Sequence, residues 1–238
     1  MENASKALLM AGGILISLLV ISALVLMFNQ IGAYGKSQEE IKRNSQLAEF
    51  NKDFERYLDD KGIDGTDIIS LMNKVINYNN KAKKGGVENS IDYSIKMTIT
   101  ISNLDEFNYK YAYSNNSNKI FKFDSYTIGD DNALGNQLKS DLEAERKIET
   151  IGISPDKLKQ LSGMYDESNV EEVRKKLIEI TKDNKYNNWP HNNMQPSTAA
   201  LKKYRQYWEF KTSKFLPDGD PIYATNGQIM QISVKFYK

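Results

Sequence analysis

The side chains that could do chemistry in this chain are scattered, and no spacing joins them into a catalytic set. The 238 residues include one histidine, His191, and no cysteine. These counts exclude disulfide scaffolds, thiolate zinc sites, histidine-rich metal sites and cysteine nucleophiles. No pair of carboxylates has a recognisable spacing of the kind that glycoside hydrolysis requires. We therefore expect no catalytic, cofactor-binding or metal-binding residues and no enzyme; an extracellular hydrolase is the alternative that two convergent, buried carboxylates would revive.

Two pairs of aspartates raise the question of calcium. Asp64 and Asp67 lie on either side of a glycine, and Asp218 and Asp220 flank another. A calcium loop of the EF-hand type needs further oxygen ligands and a terminal glutamate at fixed spacing, which the sequence does not supply. Helix capping explains the first pair and a tight turn explains the second.

Aromatic residues provide the candidate contacts with a partner or ligand. The polar loop DNKYNNWPHNNMQPS places Trp189 and His191 on either side of a proline. Ordinary loop packing is the favoured interpretation of both, and contact with a partner or ligand is the alternative. The alternating rings of 107–113 could stack on a sugar if they lined a sheet surface. Such a row is also typical of the core side of a sheet.

The N-terminal region is apolar enough to cross a membrane. Residues 7–28 contain no charged side chain and extend roughly 33 Å as a helix at about 1.5 Å per residue. A cleaved signal peptide has a shorter apolar core of about 7–15 residues, although Ala33 and Gly35 would give a small-x-small pattern before Lys36. We expect an uncleaved anchor.

Flanking charge and chain length give opposite indications about orientation. Lys6 precedes the apolar stretch, whereas Lys36, Lys42 and Arg43 follow it. Because the side with more basic residues usually stays in the cytoplasm, this count alone places the following domain inside. Long domains are translocated largely regardless of such charge. We expect the head to be extracytoplasmic, in a single-pass protein of a bacterial cell membrane.

Small residues recur four apart in the apolar stretch. Ala7 and Ala11 form one pair and Gly13 and Ser17 another. This spacing lets helix backbones approach closely within a membrane, so these four residues are candidates for helix packing and self-association. Background composition of membrane helices is the alternative.

The remaining chain predicts an α+β head. Helical periodicity covers 66–79 and several segments of 131–183, while alternation over 91–101, 107–113 and 230–236 predicts antiparallel strands. Basic and acidic residues number 32 and 31, a balance that argues against nucleic-acid binding. The predicted organisation is a tail at 1–6, a transmembrane helix at 7–28, a juxtamembrane amphipathic helix at 29–62 interrupted near 32–35, and a head at 63–238 with a helical insertion at about 131–183.

The order of these elements resembles that of type IV pilin-like and pseudopilin-like proteins, in which an apolar N-terminal helix precedes a head built on an antiparallel sheet. The segments ENASKALLMAGGILISLL and GTDIISLMNKVINYNN also look like uncharacterised single-pass proteins of Gram-positive bacteria. Gly13 precedes Ile14 as at a prepilin processing site, but Leu18 stands where the family has glutamate, so no processing site is transferred.

The resemblance implies a membrane-anchored structural or assembly protein that works through other protein subunits. Its sharper form is a pilin-like subunit or a minor component of a surface or secretion apparatus. A cell-surface module that binds peptide or glycan through Trp189, His191 and nearby tyrosines is the alternative.

Overall fold

The computed structural model divides the chain into two units, residues 1–49 and 50–238. Each unit is described by itself. The structure describes residues 2–82, 86–88, 90–111, 120–129, 136–140, 142, 153–191 and 193–238.

Helix α1 runs without a break from Glu2 to Glu55. The interruption predicted near 32–35 is therefore wrong: glycine is tolerated inside a helix, and an added Cβ at Gly32 or Gly35 would meet no atom within 4 Å. The last residues of α1 belong to the second unit, where Asn51 and Phe54 are buried. The head therefore begins at Phe50, whereas the sequence placed its start at residue 63.

The head is built on a mixed sheet. Its strands are β1 (Ile63–Asp64), β4 (Thr98–Ser102), β5 (Tyr126–Ile128), β6 (Lys214–Pro217), β7 (Ile222–Tyr223) and β8 (Ile229–Phe236), and a separate hairpin contains β2 (Val87–Glu88) and β3 (Ile91–Asp92). The order in the sheet is β1-β6-β8-β4-β5, with β7 paired to the first half of β8. The α+β class is confirmed. The sheet is not wholly antiparallel, however, because β4 and β8 run parallel.

Helix α2 (Gly65–Ala82) packs on this sheet through the apolar face that the sequence predicts. Ile68, Leu71 and Val75 are almost completely buried, as are Ile99 and Ile101 of β4. Gly65 opens the helix where its N–H donates to the Ser213 carbonyl oxygen at 3.1 Å. A Cβ at this position would lie 1.9 Å from the Phe210 carbonyl oxygen, so the approach requires glycine.

A helical layer completes the head. It contains α4 (Pro155–Met164), α5 (Val170–Thr181), a 3₁₀ helix (Asn184–Asn188) and α6 (Thr198–Thr212). Leu201 and Tyr204 of α6 are buried in this layer, whereas Phe210 packs its ring against Phe107 and Phe215. Helix α6 thus contributes side chains both to the core of the helical layer and to the core between the helices and the sheet. Of the predicted helical insertion, residues 131–135, 141 and 143–152 lie outside the described residues, and 136–140 are helical.

Residues 104–111 form helix α3 (Leu104–Tyr111), not the predicted strand. The alternation of aromatic residues overlaps a helical pattern, since Leu104, Phe107 and Asn108 are buried while Tyr109 is 89% exposed. Phe107 contacts the rings of Phe121 and Phe236, and this packing fixes the helix. The strand predicted at 107–113 is therefore wrong over 107–111, and the alternative of a ring platform on a sheet fails with it; residues 112 and 113 lie outside the described residues.

The alternating run at 91–101 is also shorter as a strand than predicted. β3 ends at Asp92, whose carboxylate accepts hydrogen bonds from the Ser94 backbone N–H at 2.8 Å and the Ser94 hydroxyl at 2.6 Å. Such a local bond offers the backbone an alternative to strand pairing. The chain returns to extended structure at Thr98, where β4 begins.

Candidate functional site

The first candidate site is the apolar part of α1, which has no packing partner within its own unit. All side chains from Glu2 to Ser45 are exposed, and an apolar window within α1 has none of its residues buried. The Ser17 and Ser22 hydroxyls donate to the Gly13 and Leu18 carbonyl oxygens, both at 2.8 Å. Both hydroxyls are therefore satisfied within the helix, as a lipid environment requires.

Helix α1 is the one helix, among the described residues, that is long and apolar enough to cross a membrane. Its length and composition are consistent with a membrane anchor, and its position near the N-terminus is also consistent with a signal sequence. A soluble core helix of this composition would be buried, and this one is not.

The four small residues of α1 do not share one face. At about 100° per residue, Ala7 and Ala11 lie on one side of the helix and Gly13 and Ser17 lie about 120° away. A Cβ added to Gly13 would meet nothing within 4 Å, so this side of the helix is open. One partner helix could therefore pack closely on either pair, but not on both at once.

Trp189 is not at the surface of the head. Its side chain is 0% exposed, its indole N–H donates to the Pro196 carbonyl oxygen at 2.7 Å, and its ring contacts that of Tyr165. The neighbouring backbone carbonyl of Trp189 accepts a hydrogen bond from the Arg174 guanidinium. This residue packs in the core of the helical layer, and its ring is not available to a ligand.

His191 is exposed, and the structure does not bring it together with the Trp189 ring in an accessible cleft. Its backbone carbonyl accepts a hydrogen bond from the Met194 N–H at 3.1 Å. Among the described residues, no group of three or more His, Asp and Glu side chains is placed to hold a metal ion.

Both aspartate pairs have local roles. The Asp64 carboxylate accepts the Asp67 N–H at 2.9 Å at the start of α2, as the capping interpretation predicts. Asp218 accepts the Ser102 hydroxyl at 2.9 Å and lies 3.6 Å from the Lys235 ammonium. The carboxylates of Asp64, Asp67 and Asp218 therefore each have a partner in the fold.

A cleft of about 530 Å³ lies between the start of α4 and the end of α5. Its polar lining includes Ser154, Lys157, Asp183 and Lys185. The Lys185 ammonium lies 2.9 Å from Asp183, and its hydrogen bond lowers the pKa of that carboxyl and raises the pKa of the lysine. An ion pair of this kind stabilises both charges and supplies neither a nucleophile nor a base.

Three asparagine side chains, missed by the sequence analysis, bond to the main chain of distant segments. In each, the amide N–H donates to a backbone carbonyl and the amide oxygen accepts a backbone N–H. Asn51 bonds to Gly227 and Ile229, Asn79 to Met97 and Gly129, and Asn108 to Phe121, with distances between 2.6 and 3.2 Å. We call these the asparagine clamps. No pattern distinguishes them in a chain rich in asparagine.

A buried polar network joins the clamp of Asn51 to helix α2. The Gln228 side chain, 0% exposed, donates to the Tyr78 hydroxyl at 2.6 Å and accepts the Asp92 N–H at 3.0 Å. The Tyr78 hydroxyl lies 2.7 Å from the Ile95 carbonyl oxygen. Burial raises the pKa of Tyr78 to about 12, against a smaller opposing effect of the Gln228 N–H. The phenol stays neutral at physiological pH, and its hydroxyl links the Gln228 side chain to the Ile95 carbonyl oxygen.

No protein-family model, no curated protein and no solved structure matches this chain. The geometry of α1 and of the head is therefore the whole basis for a functional interpretation.

Proposed function

We propose that the protein is a single-pass membrane protein in which residues 7–28 are an uncleaved anchor and the α+β head is extracytoplasmic. The observation that carries this proposal is a charge-free helical segment of membrane-spanning length whose side chains are all exposed. Transfer of such a segment from water into lipid is strongly favourable, because the free energy of each apolar residue is lower in lipid than in water. The same helix continues past Ala33 and Gly35, where a signal peptide would be cut.

The role that fits this arrangement is structural or assembly work through other protein subunits, in the manner of a pilin-like subunit or a minor component of a surface or secretion apparatus. Two features support it. The open small-residue faces of α1 offer sites for close helix packing. In the head, the Asp64 carboxylate caps α2 and the Asp218 carboxylate pairs with Lys235, so both are engaged in holding the fold.

The alternative of a ligand-binding module is weakened by the packing of its named ring. Trp189 is 0% exposed, so a peptide or sugar would have to be recognised without it. His191 alone in an exposed loop gives no specific basis for a ligand.

Membrane fractionation with protease shaving of intact cells, followed by N-terminal sequencing, tests the proposal. We expect the protein in the membrane fraction, Met1 retained and the head removed by shaving. A mature N-terminus at Lys36 would overturn the anchor, and one at Ile14 would indicate prepilin-type processing. A head that resists protease in intact cells but not in lysed cells would overturn the orientation.

A further inference from the structure

The loop between β7 and β8 contains the only Asn–Gly step in the chain, at Asn226 and Gly227. Residues 224–228 close a tight turn in which the Ala224 N–H donates to the Gln228 carbonyl oxygen at 2.7 Å. Gly227 has φ of 82°, a conformation that glycine adopts without strain. This step faces the clamp of Asn51, which bonds to the backbone on both sides of Gln228.

We propose that Asn226 is a self-modification site that forms a succinimide with Gly227 and that the clamp of Asn51 controls its rate. In the reaction, the Gly227 nitrogen loses its proton and bonds to Asn226 Cγ, the Cγ–Nδ2 bond breaks, and ammonia leaves with that proton. Water then opens the five-membered ring at either carbonyl and gives aspartate or isoaspartate. Glycine favours the attack because no side chain shields its nitrogen. The inference does not depend on the proposed function.

In the closed turn, the Gly227 nitrogen and the Asn226 side chain both take part in hydrogen bonds that prevent the attack. The Gly227 N–H donates to the Ala224 carbonyl oxygen at 2.9 Å, and the Asn226 amide oxygen accepts the Gln228 N–H at 3.0 Å. Asn51 fixes the next atoms of the same turn, since its amide donates to the Gly227 carbonyl oxygen at 2.8 Å and accepts the Ile229 N–H at 2.9 Å. The Gly227 nitrogen is free to attack only when these bonds open together.

The product would prevent the turn from closing again. Isoaspartate adds a methylene group to the main chain between residues 226 and 227. The Gly227 carbonyl and the Ile229 N–H then shift, and the Asn51 amide can no longer bond to both. The new carboxylate also lies beside Gln228, which is 0% exposed and bonded to Tyr78. A transient opening of the turn thus becomes a permanent loosening of the last turn of α1 from β8.

The test is a comparison of reaction rates in the full-length protein in detergent at neutral pH, followed by peptide mass spectrometry. The samples are the wild type, Asn51→Ala, Asn79→Ala and a synthetic peptide of residues 220–232. We expect the wild type to react at least about tenfold more slowly than the peptide, because local opening must precede reaction. Asn51→Ala should react about tenfold faster than the wild type, since two hydrogen bonds of the closed turn are lost.

Asn79→Ala is the matched control, because it removes a clamp of the same chemistry from a different part of the sheet. We expect its rate to stay within about twofold of the wild type if local opening governs the reaction. Equal acceleration by both variants would show that global unfolding controls the rate and would overturn the proposal. A wild type as fast as the peptide, or an Asn51→Ala protein that does not react, would overturn it as well.

Hydrogen exchange of the wild type keeps the test decisive if Asn51→Ala does not fold. The Gly227 and Ile229 amides should exchange faster than the Met97 and Phe121 amides, which bond to the other clamps, and with little dependence on denaturant. Exchange of all four amides at the rate of global unfolding would contradict a local opening of the turn.

Discussion

At the scale of single residues, the head depends on side-chain amides that take the place of strand pairing. Asn108 is the most buried of the clamps, with 1% of its surface exposed, and it bonds to both the N–H and the carbonyl oxygen of Phe121. Segments such as 120–125 have no strand partner of their own, so their main-chain polar groups need these amides. Burial of an unpaired backbone group is costly.

Asn108→Ala is expected to lower the free energy of unfolding by about 2–4 kcal/mol, because it leaves two buried backbone groups of Phe121 without their partner. Urea denaturation followed by circular dichroism measures the change. Asn80→Ala, at an exposed position of α2, is the control and should not destabilise the protein by more than about 0.5 kcal/mol. Similar losses in both variants would show that the clamp of Asn108 contributes nothing specific.

Tyr78 makes a contribution to the stability of the head that is lost at alkaline pH. Its pKa is raised to about 12, so the folded state holds the phenol proton more tightly than the unfolded state does. The contribution is fully present below about pH 10, and it falls by up to about 1.4 kcal/mol per pH unit as the pH rises towards 12. Tyr78→Phe should be less stable at neutral pH, and the stability difference from the wild type should shrink above pH 10. A constant difference across this range would contradict the raised pKa.

At the scale of elements, the sequence predicts those whose periodicity agrees with their burial. Helix α2, strand β4 over Ile99 and Ile101, and the buried positions 232, 234 and 236 of β8 follow from apolar spacing alone. Ile229 is out of phase with that alternation and is buried, whereas Met230 is not. Helix α3 does not, because the alternating rings of 107–113 coincide with a helical stripe formed by Leu104, Phe107 and Asn108. Only the contacts of Phe107 with distant rings decide between the two patterns.

The local sequence pattern also did not predict which strands pair in the sheet or whether they run parallel or antiparallel. The parallel pairing of β4 with β8 joins Ile99 to Ile232 across the chain, and no turn between them sets its register. The hairpin of β7 and β8 did have a sequence signal, since Asn–Gly between two extended segments is typical of a tight hairpin turn. The asparagine clamps had none, whereas the packing of Trp189 agrees with the interpretation that the sequence favours for this loop.

The two small-residue faces of α1 make separable predictions for self-association in a bilayer. Gly13→Ile should weaken association by about tenfold, since close approach of helix backbones is worth about 1–2 kcal/mol. Ala11 lies on roughly the opposite side of the helix at about 100° per residue, so Ala11→Ile is a control with the same change in bulk. Energy transfer between labelled proteins in vesicles measures both. A larger effect of Ala11→Ile would assign the contact to the face of Ala7 and Ala11.

At the scale of the whole molecule, the division at Phe50 determines which fragment can fold as a head. Phe54 and Tyr57, 5% and 2% exposed, and the clamp of Asn51 all precede residue 63. A head that starts at residue 63 would lose these buried groups and expose the core surface that they cover.

A fragment of residues 46–238 should therefore unfold cooperatively in solution, whereas a fragment of residues 63–238 should be less stable by several kcal/mol or fail to fold, since each lost aromatic side chain costs about 3–5 kcal/mol. Thermal unfolding and solubility of the two fragments are the measurements. Equal stability would place the boundary of the head at residue 63 and make the last turn of α1 dispensable.

The central position of β8 in the sheet has a consequence for biosynthesis. This strand pairs with β4 on one side and with β6 and β7 on the other, yet residues 229–236 follow every other described element along the chain. A ribosome therefore makes all the neighbours of β8 before it makes the strand that joins them. Until then, β4 and β6 have open edges towards the gap that β8 will fill, and such edges are prone to aggregation. The incomplete head is therefore at greater risk of edge-to-edge aggregation before β8 is made than after it.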